Sequence, residues 1–215
     1  MSRDDRDPPR GWTRRDFLRS GAVAGVAGSF LAHPLAGNQQ ESKPKRVAGV
    51  EVLGPGPVPV ALRVNGETYR LRLEPRVTLL DALRDRIGLT GSKKVCDQGT
   101  CGACTVLLDG EPAYACSVLA LEVGDATIET VEAIGDPESL HPLQTAFVEA
   151  DAQQCGFCTP GFVVATKALL DRDPKPSPER ISEALAGNFC RCGTYGGIRT
   201  ALTGPAGPGK ETDHG

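Results

Sequence analysis

The sequence predicts an α+β chain in which a small mixed β-sheet, crossed by one helix, is followed by four short helices. Three observations carry that expectation. Residues 58–73 alternate apolar with other side chains about an Asn65-Gly66 pair. Residues 142–170 and 177–187 place apolar side chains at helical spacing, the second run opening on Ser177-Pro178. The eight cysteines fall into two groups of four, at 96–116 and at 155–192, one group in each half of this layout.

In the first half, Val60, Leu62 and Val64 alternate with other residues, as do Tyr69, Leu71 and Leu73. Asn-Gly between them supplies the positive φ of a tight turn, so the pair reads as a β-hairpin. Thr78 is placed to cap a helix running to Ile87, with Leu79, Leu80, Leu83 and Ile87 on one side and Gly88 as its stop. Thr105–Leu108 reads as a strand, Asp109-Gly110 as its turn, and Ala126–Val131 as a final strand. In the second half, Glu132–Leu140 is a connection. Pro142 is an early-turn residue ahead of Leu143, Ala146, Phe147 and Ala150. Phe162, Val163, Ala165, Thr166, Leu169 and Leu170 form the next run. After Ser177-Pro178, the residues Ile181, Ala184 and Leu185 bury one face and Gly187 ends the helix. A fourth helix is expected after Gly197. Four short helices suggest two packed hairpins.

Bulk properties narrow the function. With 215 residues and 40% hydrophobic content the chain can build two small cores. A net charge of −3 gives no basic surplus of the kind nucleic-acid binding requires. No Ser/His/Asp grouping and no paired-carboxylate motif stands out, so substrate chemistry is not expected in this chain. The histidines are His33, His141 and His214, none within a cysteine group, and His141 reads as a helix start. Metal chemistry here is therefore thiolate chemistry.

The first group is Cys96, Cys101, Cys104 and Cys116, spaced C-x4-C-x2-C-x11-C. Its first three members match the plant-type [2Fe–2S] ferredoxin loop. Four thiolates suit that cluster because each of two irons takes two cysteine sulfurs beside the bridging sulfides. Gly99 and Gly102 let the backbone wrap closely and aim its amides at sulfur. The second group sits at helix junctions: Cys155 and Cys158 in Gln154–Gly161, then Cys190 and Cys192 in Asn188–Tyr195. Both pairs would lie near helix N-termini, where the positive dipole end meets an anionic cluster. Neither group is followed by a haem-type Cys-His, and Rieske ligation would need two histidines. Disulfides and structural zinc are the competing uses of these cysteines. Tight triplets and a Cys-x-Cys pair suit cluster wrapping better than either.

Over about residues 58–204, and on the segments Cys96–Cys104, Cys116, Gln154–Gly161 and Cys190–Tyr195, the chain resembles the small iron–sulfur subunit of the xanthine dehydrogenase/aldehyde oxidoreductase family. The short x11 gap departs from plant ferredoxins and matches the ferredoxin-like domain of molybdenum hydroxylases. The resemblance implies an N-terminal β-grasp, plant-type ferredoxin-like domain followed by a four-helix [2Fe–2S]-binding domain. It implies two [2Fe–2S] clusters and a large partner subunit holding a molybdenum–pterin cofactor. That partner would hydroxylate aldehydes or N-heterocycles, with electrons leaving through this chain to a FAD-binding subunit or a cytochrome. The helical-domain cluster would lie nearest the pterin, approached by Gln154 and Cys192. A stand-alone ferredoxin-like carrier or redox sensor is the alternative; Gln154 and the helical domain argue against it, since a simple carrier needs neither.

The N-terminus reads as an address. Residues 1–46 carry nine basic against five acidic side chains, a net of +4, which leaves −7 for the remainder. Thr13-Arg14-Arg15-Asp16-Phe17-Leu18-Arg19 looks like the twin-arginine export motif, and the stretch Ser20–Ala36 is too short and too rich in Gly and Ala for a membrane span. That route carries folded proteins, which fits clusters inserted before export to the periplasm. The expected layout is a signal at 1–36, a linker at 37–57 and the sheet domain at 58–131. The helical domain follows at 132–204, with a disordered tail at 205–215.

Overall fold

A computed structural model of the chain describes residues 45–47, 50–136 and 138–204. The twin-arginine segment and the tail at 205–215 lie outside the described residues. The segment 37–57, expected to lack regular structure, carries a short antiparallel ladder: β1 (Lys45–Val47) pairs with β2 (Val50–Val52). Pro44 lies just ahead of β1 and the run Gly54–Pro57 follows β2, so no proline or glycine falls within either paired strand.

The main sheet is built from β3 (Val58–Val64), β4 (Glu67–Leu73), β5 (Thr105–Leu108), β6 (Glu111–Tyr114) and β7 (Thr127–Glu129). Their order is β4-β3-β7-β5-β6, with β3 and β7 parallel and the other neighbours antiparallel. The hairpin β3–β4 turns at Asn65 (φ 53) and Gly66 (φ 84), as the Asn-Gly pair predicts. Leu62 and Val64 point into the core with no exposed surface, while their neighbours Ala61 and Arg63 face out. The sequence does not announce β6, because Pro112 cannot donate to a ladder; β6 is the sheet's edge, where proline is tolerated.

The helix expected from Thr78 to Ile87 forms, with one difference. The Thr78 hydroxyl accepts from the Asp81 amide and α1 (Leu79–Asp81) begins, but the chain then widens into a π-helical segment, Ala82–Ile87. Gly88, at φ 90, closes it by donating to the Leu83 carbonyl. Leu79, Leu80 and Leu83 are fully buried against Leu62, Val64, Val106 and Ile128. The final strand stops at Glu129 rather than Val131, because the Thr130 amide donates to the Asn65 side chain instead of to a strand.

Four helices follow: α2 (Pro142–Glu149), α3 (Thr159–Arg172), α4 (Pro178–Ala184) and α5 (Tyr195–Thr203). His141 starts α2 through a capping box: its Nδ1 accepts from the Leu143 amide, and its own amide donates to Gln144 Oε1. The Ser177 hydroxyl caps α4. Two glycines read as helix punctuation have another task. Gly197 lies inside α5, where a Cβ would come within 2.8 Å of the Ala150 and Asp151 carbonyl oxygens, so it permits close packing and the helix starts before it. Gly187 lies beyond the end of α4 and leaves room for the Tyr114 ring.

Two cores result, sharing β5 as a wall. Val106 packs into the sheet core, while Leu107 faces Phe162, Val164, Leu143 and Ile198 in the helical core. That is why Thr105, Val106 and Leu107 are all buried and the strand does not alternate. Burying a side chain such as Phe162 contributes about 1.5–3 kcal/mol. The turn residue Asn65 ties the sheet to the inter-domain connection: its Nδ2 donates to Thr130 Oγ1 at 2.9 Å and its Oδ1 accepts from the Thr130 amide at 2.9 Å. Asn65→Gly keeps the turn conformation and loses both bonds. It should lower unfolding free energy by about 1–2 kcal/mol, read as a fall in the urea midpoint at unchanged slope.

Candidate metal centres

The loop between the π-helical segment and β5 carries Cys96, Cys101 and Cys104, and Cys116 follows β6. Asp97, Gly99 and Gly102 all adopt positive φ (56, 68 and 69), which coils the loop tightly enough to face its three sulfurs inward. All eight cysteines are free. In this quartet the Cys96 side chain lies beside Cys101, and the Cys104 side chain beside Cys116. The Gly99 amide donates to Cys116 Sγ at 3.3 Å. The Thr100 hydroxyl, then the Gln98 and Thr100 amides, pull the Cys96 thiol down to about 6. Burial pushes Cys104 up to about 12. A thiol of that kind gives up its proton when a metal takes its place.

The second quartet is assembled from two helix entries. Cys158 is the residue on which α3 begins, and Cys190 and Cys192 lie just ahead of Thr194, on which α5 begins. Here too the side chains lie in pairs, Cys155 beside Cys192 and Cys158 beside Cys190. The Phe157 amide, then Cys192, lower Cys155. Burial pushes Cys158 up to about 12. Burial alone would raise Cys190 as well, but the Thr194 hydroxyl and amide, with Cys158 and the Cys192 amide, together outweigh it and leave it at about 7. Among the described residues no three His, Cys, Asp or Glu side chains converge on a single-ion position. Four cysteine thiolates in each group are the donor set that a two-iron cluster takes.

The loops that carry the two quartets touch. The Phe189 amide donates to the Cys101 carbonyl at 2.9 Å, so the residue before Cys190 is joined to Cys101. Asn188, 5% exposed, donates to the Gly102 carbonyl at 2.9 Å and to Thr105 Oγ1 at 3.3 Å. Tyr114 donates to the Gly187 carbonyl at 2.8 Å. A Cβ on Gly161 would run into the Gly102 carbonyl oxygen. Gln154 and Cys192 are both exposed on the outer side of the second quartet, where Phe157 and Phe189 also stand out, 58% and 57% exposed.

Comparison with known proteins agrees with this layout. Residues 62–130 match the family described as "2Fe-2S iron-sulfur cluster binding domain", and residues 130–203 match the "[2Fe-2S] binding domain". The chain is 40% identical to the aldehyde oxidoreductase iron-sulfur-binding subunit PaoA of Escherichia coli O157:H7, over 91% of this chain and 88% of that one. It belongs to the iron–sulfur subunits of the xanthine dehydrogenase/aldehyde oxidoreductase family. Within that family, the subunit is also 43% identical to the nicotinate dehydrogenase small FeS subunit of Eubacterium barkeri, over 67% of this chain and 92% of that one. Its fold superposes on quinoline 2-oxidoreductase from Pseudomonas putida 86 with a TM-score of 0.67 at 42% identity, covering 70% of this chain and 93% of that one. The α+β architecture expected of a ferredoxin-like domain followed by a helical iron–sulfur domain is thereby established for the subunit.

Sequence reasoning groups the cysteines as 96, 101, 104 and 116 and as 155, 158, 190 and 192. It misses Asn188, Tyr114 and Gly161, the residues that hold the two halves of the subunit at close range, and the Thr100 and Thr194 hydroxyls on sulfur. None of these has a local signal; each acts on a residue distant in the chain or on a sulfur whose direction only the folded loop fixes. Gly161→Ala should destabilise the subunit by about 1–3 kcal/mol through overpacking, lowering the urea midpoint of the cluster-loaded protein. A midpoint equal to wild type would show that the approach of α3 to Gly102 is looser than described.

Proposed function

We propose that this subunit carries electrons from a molybdenum–pterin partner to a flavin or haem acceptor through two clusters. Cys96, Cys101, Cys104 and Cys116 hold one cluster, and Cys155, Cys158, Cys190 and Cys192 hold the other. A bound [2Fe–2S] cluster supplies one-electron redox chemistry at a potential tuned by hydrogen bonds to its sulfurs. The observation that carries the reading is the Phe189 amide to Cys101 carbonyl bond, which sets the two thiolate quartets side by side.

The remaining residues have matching tasks. Gln154 and Cys192 face the pterin, since they are exposed beside the more open sulfur pair. Phe157 and Phe189 give that side an apolar rim for the large partner, whose chemistry is aldehyde or N-heterocycle hydroxylation. The relatives' names support this: one is an aldehyde oxidoreductase subunit and another a nicotinate dehydrogenase subunit. The ferredoxin-like quartet serves the acceptor, a FAD-binding subunit or a cytochrome. Export to the periplasm by the twin-arginine route is part of the same reading, carried by Arg14-Arg15 ahead of Phe17-Leu18.

Iron and acid-labile sulfide should come to about four of each per chain, with two distinct [2Fe–2S] signals after reduction. Cys155→Ser or Cys190→Ser should remove one signal and about two irons while sparing the other cluster. Loss of both signals, or two irons in the wild type, would refute the ligand assignment. Replacing Arg14 and Arg15 together by lysine should leave the subunit in the cytoplasm on fractionation. Unchanged export would refute the leader.

A further inference from the structure

Thr194 stands at the start of α5, a position where a threonine hydroxyl ordinarily accepts from a first-turn amide. Thr78, His141 and Ser177 do this for their helices, each from an extended backbone with ψ of 157, 144 and 158. Thr194 does not: its ψ is 13 and its side chain makes no cap. Its hydroxyl instead donates to Cys190 Sγ at 3.1 Å, and its amide points at the same sulfur at 3.5 Å. Both residues are buried, Thr194 at 5% and Cys190 at 7% exposure. The hydroxyl has given up a helix cap for a bond to sulfur.

That bond has an electrostatic consequence. Reducing a cluster by one electron adds one negative charge, shared onto its sulfurs. A donor aimed at a ligand sulfur stabilises the reduced form more than the oxidised one and raises the potential. In a buried, low-dielectric site the effect is not diluted by water. The ferredoxin-like quartet offers a contrast. Its hydroxyl donor, Thr100, is exposed and acts on the half-buried Cys96, so water can take its place. Water has no such access to Cys190. Cys190 is also the ligand whose neighbour, Phe189, donates its backbone amide to the Cys101 carbonyl.

We propose that the Thr194 hydroxyl, acting through Cys190 Sγ as a positioning group, sets the reduction potential of the helical-domain cluster separately from that of the ferredoxin-like cluster. The inference rests on the two-cluster reading above. The cluster gains and loses one electron; the hydroxyl proton stays on Thr194, and no bond to it breaks.

The test is an EPR-monitored redox titration of the assembled, cluster-loaded complex in wild-type, Thr194→Val, Thr194→Ala and Thr194→Ser forms. Valine keeps the branched shape and removes the donor; serine keeps the donor. In Thr194→Val and Thr194→Ala, the reduced-to-oxidised ratio of the helical-domain cluster at fixed potential should fall about tenfold, about 59 mV for one electron. Thr194→Ser should restore the wild-type ratio, and the ferredoxin-like signal should not move in any variant. An unmoved helical-domain signal in a loaded valine or alanine variant would overturn the proposal. So would serine behaving as valine, or both clusters shifting together. Failure of both the valine and alanine variants to load this cluster, while serine loads it, would make the hydroxyl a strut for the loop and also overturn it. Failure of the two-cluster reading is separate: it appears in the wild type, as iron near two per chain or a single signal.

Discussion

The arrangement depends on how closely the Cys101-Gly102 turn and the Asn188-Phe189 turn can approach. At this point backbone meets backbone: the Phe189 amide reaches the Cys101 carbonyl, and Gly102 presents a carbonyl that accepts from Asn188, from the Thr105 amide and from the Thr105 hydroxyl. Side chains would hold these strands of chain apart, and three glycines remove them. Gly102, Gly161 and Gly187 each lie where a Cβ would strike a neighbour across the boundary. The approach then fixes everything around it. β5 is drawn between two cores, α3 lies against the sheet domain, and Tyr114 on the edge strand reaches the loop after α4.

The same constraint explains the gradient in the cysteines. Cys104, Cys116 and Cys190 are buried, Cys96, Cys101 and Cys158 are half-buried, and Cys155 and Cys192 are exposed. Loss of water pushes Cys104 and Cys158 up to about 12. A buried sulfur that must carry charge needs donors from the protein. Gly99 supplies one to Cys116, and Thr194 supplies two to Cys190. Metal, rather than a proton, is then the partner that makes a buried thiolate favourable.

Much of the fold is legible locally. The Asn65-Gly66 hairpin, the Thr78 and Ser177 caps, His141 as a helix start and the apolar runs of α2 and α3 follow from turn chemistry and periodicity, because each depends on residues within a few positions. The misses have a common cause. β6 carries Pro112 and reads as loop until the sheet shows it at an edge. The π-helical widening of 82–87 has no marker in the local pattern, which reads as an ordinary helix from Thr78 to Ile87. Gly187 and Gly197 read as breakers because a sequence shows a missing side chain and not what would have collided with it. β1 and β2 pair within a stretch whose Pro and Gly content suggested none.

For the candidate site the division is sharper. The cysteine spacing by itself determines which four residues form each group, since C-x4-C-x2-C in one loop leaves the chain few ways to wrap anything but a cluster. The paired Cys-x2-Cys and Cys-x-Cys likewise fall at helix entries wherever the helices are drawn. What only the tertiary structure decides is how the sulfurs pair, which are enclosed, which donors reach them and how the two groups touch. Those features join residues as far apart as Gly102 and Asn188. Such contacts come from packing two cores against one strand, and no local pattern encodes where two distant loops will meet.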